Sequence, residues 1–287
     1  MKVGISMKST LGSTLRSVRK SKQVSLNSLA DEYLSKSQIS RFERGESEIS
    51  CIRLMNILDK LKISLDEFLI LNQELSLDKE TLQDSISYIQ KEYRMKNMSN
   101  LKKLLSDSSL FSPTSFERTM LKAIIHTVDP NIMPTEEELL SLTDYLFKVE
   151  KWGKYEIILF GNCVRSLSYS TYFLLTKEML DNTISSNHNK RLIIQLAINC
   201  LIVSIDTGEY KNALFLINKI TKLISYELYY YERTVFLYVI GYFEFKRLNS
   251  NGKTKMQQAI QIFEILGDEH LKKEFEKHYC ENVENAN

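Results

Sequence analysis

Glycine and proline are scarce in this chain, whose 287 residues include 9 Gly and 3 Pro. This shortage argues against turn-rich β folds and against the glycine-rich loops that hold phosphate groups. Long apolar runs are missing too: no stretch of about 18 apolar residues occurs, and the first residues lack the apolar core of a signal peptide. Because 43% of the residues are hydrophobic and 26% are charged, the composition is that of a globular protein. We therefore expect a soluble, cytoplasmic, all-α protein with no membrane partner.

Cysteine and histidine are few and scattered along the chain. The 4 Cys and 4 His form no CxxC pair and show no metal-ligand spacing, so we expect no metal site and no cofactor. The signatures GxxxxGK[ST], HExxH and GxSxG are also missing. We therefore predict that the protein has no catalytic residues and is not an enzyme. A site assembled only by tertiary contacts remains the enzymatic alternative.

Charge is nearly balanced overall, at +2, but it is unevenly distributed. Residues 1–71 contain 12 Lys and Arg against 8 Asp and Glu, whereas the rest of the chain contains 26 against 28. The average therefore conceals a basic head on a slightly acidic body. Such a modest asymmetry supports nucleic-acid binding only where a recognition motif lies in the basic part.

The first seventy residues have the periodicity of five short amphipathic helices. Leu11, Leu15 and Val18 form one apolar stripe with helical spacing, and Ser64–Glu67 is a capping box that opens the fifth helix. Gly45 follows the third stripe, where a helix commonly ends on a left-handed residue. Since helices this short are not stable alone, we expect them to pack into one bundle.

Longer helical segments follow from about residue 75, and they pair into hairpins of roughly 35–40 residues, as in tetratricopeptide-like (TPR-like) repeats. We therefore predict an N-terminal five-helix bundle at 1–71 and a right-handed helical-repeat solenoid at 72–287. Such a stack leaves a concave face free for a ligand. The predicted helices are 77–95, 99–109, 115–128, 135–150, 154–167, 171–184, 190–206, 210–224, 231–247, 254–266 and 268–280.

The most specific stretch is residues 25–45, which resembles the helix-turn-helix of the lambdoid phage repressor (XRE) class. Leu29-Ala30, Ser35, Ile39-Ser-Arg-Phe-Glu43 and Gly45 match the pattern of that class in order. The chain departs from the pattern in having nine residues instead of ten between the leucine and the isoleucine, and in lacking the customary turn glycine. The geometry of the turn is therefore open.

The resemblance implies that the second helix of this motif enters the major groove and contacts base edges with its N-terminal residues. Gln38 then suits adenine, and Arg41 or Lys36 suits guanine, although Lys36 could equally contact a phosphate. Ile39 and Phe42 should point into the bundle. The predicted DNA-binding residues are Ser35 as N-cap, Lys36, Ser37, Gln38, Arg41 and, as a backbone contact, Arg44.

Two further predictions concern the same head. By the resemblance, Arg19 occupies the place of an arginine that pairs with the glutamate of the recognition helix, here Glu43, which makes the pair structural. Cys51 opens the fourth helix, a region that often lies near the partner in dimeric repressor heads. It is therefore either a candidate intersubunit or redox thiol or simply a small packed residue.

The chain as a whole resembles the Rgg (MutR/GadR-like) transcriptional regulators. The repressor-type head precedes helical repeats that contain Tyr155-Glu-Ile-Ile-Leu-Phe-Gly-Asn162 and Ala197-Ile-Asn-Cys-Leu-Ile, the latter followed by Thr207-Gly-Glu-Tyr-Lys-Asn-Ala213. The resemblance implies a cytoplasmic homodimer that binds double-stranded promoter DNA and that, in many members, takes up a short hydrophobic peptide pheromone for quorum sensing. RNA polymerase is a further candidate partner.

A peptide needs partners for its backbone amides and apolar pockets for its side chains. Asn162 and Arg165 are three residues apart on the helix predicted over 154–167, so we expect them to share a face with Tyr169. Asn199 interrupts the apolar helix run 192–205, where we expect it to be buried and satisfied by either a ligand or a neighbouring backbone group. Arg233 lies among aromatic residues and could hold a peptide carboxylate or extend into solvent.

Two functional hypotheses follow. The first is a peptide-responsive transcription regulator, with the peptide site built from Asn162, Arg165, Tyr169, Asn199 and Arg233. The alternative is a protein-interaction solenoid, or a constitutive repressor whose head binds DNA without a peptide.

Overall fold

The computed structural model of the chain describes residues 7–72, 91–92, 95, 97–106, 114–127, 129–183, 187–225, 229–249 and 251–284. The described secondary structure is helical apart from one isolated bridge between Trp152 and Thr183, which confirms the all-α prediction. Contacts divide the chain into two compact units, Met1–Met95 and Lys96–Asn287. The division predicted between residues 71 and 72 stays a prediction, and the helix predicted over 77–95 lies almost wholly outside the described residues.

Residues 7–72, the main described part of the first unit, form a bundle of five short helices with one shared core. Serine residues precede four of these helices, and each serine side chain accepts a hydrogen bond from an amide three residues further on, so the helices are delimited without proline. The core consists largely of the predicted stripes, including Leu15, Ile39 and Phe68, which are fully buried. The helices are α1 (Met7–Ser21), α2 (Leu26–Leu29), α3 (Lys36–Glu43), α4 (Cys51–Lys60) and α5 (Leu65–Leu71).

Helices α1 and α3 approach each other at Gly12. A Cβ atom at this position would lie 1.9 Å from the carbonyl oxygen of Phe42, so only glycine permits this crossing. Gly45, just beyond α3, has φ of 74°, which confirms that the helix ends on a left-handed residue. The C-terminal end of α3 is therefore both packed closely against α1 and ended by a left-handed residue.

The described helices of the second unit pack on helices one or two places away along the chain. They are α6 (Met98–Ser106), α7 (Ser115–His126), α8 (Glu136–Lys148), α9 (Lys154–Cys163), α10 (Tyr169–Asn182), α11 (Asn187–Asp206), α12 (Tyr210–Ile224), α13 (Tyr230–Lys246), α14 (Asn251–Ile265) and α15 (Glu269–Tyr279). α11 and α12 pair as a hairpin around Gly208, which has φ of 74° as the sequence pattern requires of a tight turn, and α13 pairs with α14. α9, α11 and α13 also pack on one another in order.

Candidate functional site

The start of α3 is fixed by a reciprocal capping box. The amide of Gln38 donates to Ser35 Oγ at 3.3 Å, and the amide of Ser35 donates to Gln38 Oε1 at 2.9 Å. Two backbone groups that the first helical turn would leave unpaired are thereby satisfied. Ser35 thus has the N-cap position that the sequence predicts for it.

The face of α3 opposite the core is polar and exposed. Lys36, Ser37 and Arg41 are exposed along it, whereas Ile39 is fully buried and Phe42 is 4% exposed. Gln38 is exposed as well, but the capping box engages its carbonyl oxygen, which leaves its amide NH₂ group for an external acceptor. The helix therefore presents donors, and a major-groove edge of guanine or adenine offers the matching acceptors.

Arg44, at the end of α3, is held by two side-chain partners. Its Nε and Nη2 donate to the carboxylate of Glu46 at 2.6 and 2.8 Å, and its Nη1 donates to Ser40 Oγ at 2.5 Å. The hydrogen bond from Arg44 lowers the pKa of the Glu46 carboxyl below its ordinary value. A phosphate contact by Arg44 would have to compete with this exposed carboxylate.

Arg19 and Glu43 join α1 to α3 through a bidentate ion pair. Arg19 Nε and Nη2 donate to the two carboxylate oxygens of Glu43 at 2.6 and 2.7 Å. The side chains of Arg19 and Glu43 are 11% and 4% exposed, so water screens the pair little. Neither side chain is available to DNA, and the geometry is that of the structural pair expected from the sequence.

An open pocket of about 470 Å³ lies in the second unit, between α10, α11 and the 3₁₀ turn Val164–Ser166. This volume falls within the range of roughly 300–1,000 Å³ that ligand sites occupy. The pocket combines apolar walls with a few polar groups. Its lining residues are Val164, Arg165, Leu167, Tyr169, Tyr172, Asn199, Ile202 and Val203.

Three of the five predicted peptide-site residues meet at this pocket: Arg165, Tyr169 and Asn199. The other two do not line it. Asn162 donates its side-chain amide to Ile158 O within its own helix at 2.8 Å. Arg233 donates to Ile224 O at 3.0 Å and to Ser225 O at 3.3 Å, so its guanidinium caps the end of α12.

Two details of the predicted site are wrong. The helix predicted over 154–167 ends at Cys163, because the chain turns into the 3₁₀ segment and Ser168 then caps α10 by accepting from the amide of Thr171. Arg165 therefore lies in a turn and does not share a helix face with Asn162. Asn199 is exposed and not buried, since the face of α11 that carries it lines the pocket.

Tyr169 is anchored by a chain of hydrogen bonds. Asn212 Nδ2 donates to the tyrosine oxygen at 3.0 Å, the Tyr169 hydroxyl donates to Ser204 Oγ at 3.0 Å, and Ser204 in turn donates to Cys200 O at 2.8 Å. This chain ties α12, α10 and α11 together. The hydroxyl of Tyr169 is therefore occupied, and the residue contributes its ring to the pocket wall.

The sequence reasoning missed a polar cluster on α11. Arg191 Nε and Gln195 Nε2 both donate to Glu232 Oε1 at 2.9 Å, and Glu232 of α13 is 1% exposed. Arg191, Gln195 and Asn199 are spaced four residues apart, so the cluster and the pocket share one face of α11. That spacing of polar residues in an otherwise apolar helix was the available signal.

The described residues contain neither a candidate metal site nor a candidate membrane span. No group of three or more His, Cys, Asp or Glu there could hold a metal ion. No described helix combines the length and the apolar character needed to cross a membrane.

The family follows from comparison with known proteins. Residues 98–277 match the family model of the C-terminal domain of the HTH-type transcriptional regulator Rgg, and residues 15–68 match a helix-turn-helix model. The chain belongs to the Rgg family. As an Rgg regulator it is a DNA-binding transcription regulator and not an enzyme.

Solved structures agree with the Rgg assignment. The SHP pheromone receptor Rgg2 of Streptococcus dysgalactiae is 50% identical over 95% of this chain and 100% of its own, with a TM-score of 0.88. A transcriptional regulator from Listeria monocytogenes EGD-e is 19% identical over 97% of this chain and 99% of its own, with a TM-score of 0.79. ComR from S. thermophilus, solved with DNA and its signalling peptide ComS, is 15% identical over 95% of this chain and 99% of its own, with a TM-score of 0.63. The last two share the fold of this Rgg chain.

Proposed function

We propose that this Rgg regulator is a cytoplasmic receptor for a short hydrophobic peptide, which binds in the second unit and changes how the head regulates a promoter. The pocket carries this proposal. It lies in a chain that is 50% identical to an SHP pheromone receptor along that receptor's whole length.

The polar groups of the pocket suit a peptide. Among the described residues, the exposed guanidinium of Arg165 and the exposed carboxamide of Asn199 have no hydrogen-bond partner. A carboxamide both donates and accepts, as a peptide backbone requires, and a guanidinium binds a carboxylate or carbonyl. Leu167, Ile202 and Val203 supply the apolar walls against which hydrophobic side chains would pack.

Fluorescence polarisation with the full-length chain tests the peptide site. Labelled synthetic peptides, matching the short hydrophobic sequences encoded beside the gene, should bind saturably. Arg165→Gln should weaken binding about tenfold or more, because a charge-assisted hydrogen bond contributes roughly 1.5–3 kcal/mol. Lys154→Gln, which removes an exposed charge that does not line the pocket, is the matched control. Failure of every peptide to bind would favour a constitutive repressor or a protein-interaction solenoid.

For DNA, we propose that α3 enters the major groove of a promoter site and that a homodimer contacts two half-sites. The exposed donors of Lys36, Gln38 and Arg41 support this arrangement, as does their position in the first turns of α3. Ser35 and Ser37 would contribute hydroxyl contacts, and Arg44 would bind phosphate once it leaves Glu46.

Arg41→Ala tests the contact to the bases. The variant should keep its fold and lose promoter-specific binding, since one bidentate contact to guanine discriminates by about 1–3 kcal/mol. Footprinting on the promoter region and anisotropy on a scrambled duplex measure the two components. Lys20→Ala removes an exposed charge from α1 as a control. A promoter footprint retained by Arg41→Ala would contradict the proposed recognition face.

Two further roles are proposed for assembly and output. Cys51 is an exposed free thiol at the first position of α4, so it is accessible to a second subunit or to an oxidant, whereas Cys163 and Cys200 are buried. Non-reducing electrophoresis of wild type and Cys51→Ser would show whether a disulfide forms between subunits. RNA polymerase is the proposed partner if promoter binding activates transcription.

A further inference from the structure

The turn that leads into α3 is built around one carboxylate. Asp31 Oδ1 accepts from the amides of Tyr33 and Leu34 at 2.9 and 2.8 Å, and the Asp31 amide donates to Leu34 O at 3.1 Å. Residues 30–35, all within the described part of the chain, include none with a positive φ. An aspartate side chain therefore performs the role for which this class of motif commonly uses glycine.

Lys60, the last residue of α4, fastens this turn from outside. Its Nζ donates to Asp31 Oδ2 at 2.6 Å and to Leu29 O, at the end of α2, at 2.8 Å. The hydrogen bond from Lys60 lowers the pKa of the Asp31 carboxyl, which stays ionised at neutral pH. One ammonium thus connects three elements: α4, the end of α2 and the turn.

The end of this turn sets the start of α3. Leu34 is 3% exposed and anchors the turn in the core, and Ser35 follows directly as the N-cap. The base-contacting candidates Lys36 and Ser37 come immediately after the N-cap. A shift of the turn would therefore move these side chains relative to the DNA without changing any of them.

We propose that Asp31 and Lys60 form a clamp that positions the recognition helix and thereby determines sequence specificity without contacting a base. Both side chains are about one-third exposed, so solvent screens their charges and the pair adds little to overall stability. Its contribution is geometric, because two oxygens of one carboxylate hold the turn on one side and α4 on the other. The clamp compensates for a linker one residue shorter than the usual pattern.

The test compares two duplexes with the full-length protein. One duplex covers the footprinted promoter region, the other is a scrambled sequence of equal length and composition, and anisotropy gives the ratio of their Kd values. Lys60→Met keeps the aliphatic stem and removes the ammonium, and Lys60→Arg restores a cation. Lys62 lies two residues beyond Lys60 and its side chain is 80% exposed, so Lys62→Met controls for the loss of one positive charge.

Lys60→Met and Asp31→Asn should each lower the specificity ratio about tenfold, the size of one lost base contact. Lys60→Arg should restore most of it, and melting temperatures should stay near that of the wild type. The scrambled duplex should bind Lys60→Met and Lys62→Met equally well. If Lys60→Met instead weakens binding to both duplexes by the same factor, Lys60 contacts phosphate and the clamp hypothesis is wrong. An unchanged ratio in both clamp variants would also overturn it.

Discussion

A single guanidinium, that of Arg19, connects three segments of the head. Besides its two bonds to Glu43, it donates from Nη1 to Val24 O at 2.9 Å, in the link between α1 and α2. The hydrogen bonds that Arg19 donates to Glu43 raise the pKa of Arg19. Removal of either partner would leave a charge in a site that water hardly reaches.

Arg19→Met should therefore destabilise the head by about 3–5 kcal/mol, because Glu43 would remain buried and unpaired. The double variant Arg19→Met/Glu43→Leu should recover part of the loss. Urea unfolding followed by circular dichroism measures both. Arg44→Met breaks the other bidentate pair of the head, which is exposed, and should change stability little. Equal losses in Arg19→Met and Arg44→Met would contradict a buried structural pair.

Single-residue predictions succeeded where periodicity decides burial. Ile39 and Phe42 face the core and Arg41 faces outward, because the short helix α3 packs on other helices with only one of its faces. Asn199 was wrongly expected to be buried, because α11 packs on several helices and periodicity does not show which part of it borders an opening. Arg233 could not be placed from sequence, since its partners are carbonyl groups of the preceding helix end.

Helix boundaries depend on which local signal is stronger. The capping box predicted at Ser64 is confirmed, and boxes of the same kind begin α7 at Thr114 and α8 at Thr135, since a side chain that satisfies an amide three residues on is a local property. The end of α9 was mispredicted because no glycine or proline follows Cys163 and apolar residues continue through Leu167. The helix ends early because Ser168 caps the start of α10, and the chain must leave the helical conformation before that cap.

The C-terminal helix α15 docks on α13 through a partly buried histidine. His278 Nδ1 and the Tyr238 hydroxyl are 2.8 Å apart, and the Tyr242 ring lies edge-on at 5.0 Å. Burial lowers the pKa of His278 below its ordinary value of 6.5, against the opposing influence of Asp206 and Glu281. The docked helix therefore favours the neutral imidazole.

The stability of the second unit should consequently fall as pH drops below about 6.5. In that window the unfolded chain binds a proton at His278 that the folded chain resists, so acid favours unfolding. His278→Gln should flatten part of this slope in thermal melts between pH 5.5 and 7.5. His270→Gln, at an 89% exposed side chain of the same helix, should leave it unchanged. Identical slopes in the wild type and His278→Gln would refute the link.

At the scale of the molecule, charge and composition divide the chain into two parts with different tasks. The helix-turn-helix match lies in the basic part and the Rgg C-terminal match in the slightly acidic part. The shortage of glycine and proline was enough to predict an all-α protein. The boundary after residue 71 stays a prediction, because amphipathic helices have the same periodicity on both sides of a domain boundary.

DNA affinity should depend steeply on salt. If each complex neutralises about six phosphates, affinity for the promoter duplex should fall roughly 10³-fold between 50 and 200 mM salt. The affinity for a hydrophobic peptide should change far less over the same salt range, because burial of apolar surface contributes most of the binding free energy. Parallel anisotropy titrations measure both. A nearly flat DNA curve would indicate that the head serves as a tether.

Gly12 leaves no gap between α1 and α3, and the clamp and the Arg19 ion pair hold the same helix from two other sides. The recognition helix is consequently held to its neighbours near both of its ends. We therefore expect a signal that alters promoter occupancy to move the head as one body. If the regulator binds DNA as the proposed dimer, a peptide signal would then act on the distance and angle between the two heads, which must match the fixed spacing of half-sites on DNA.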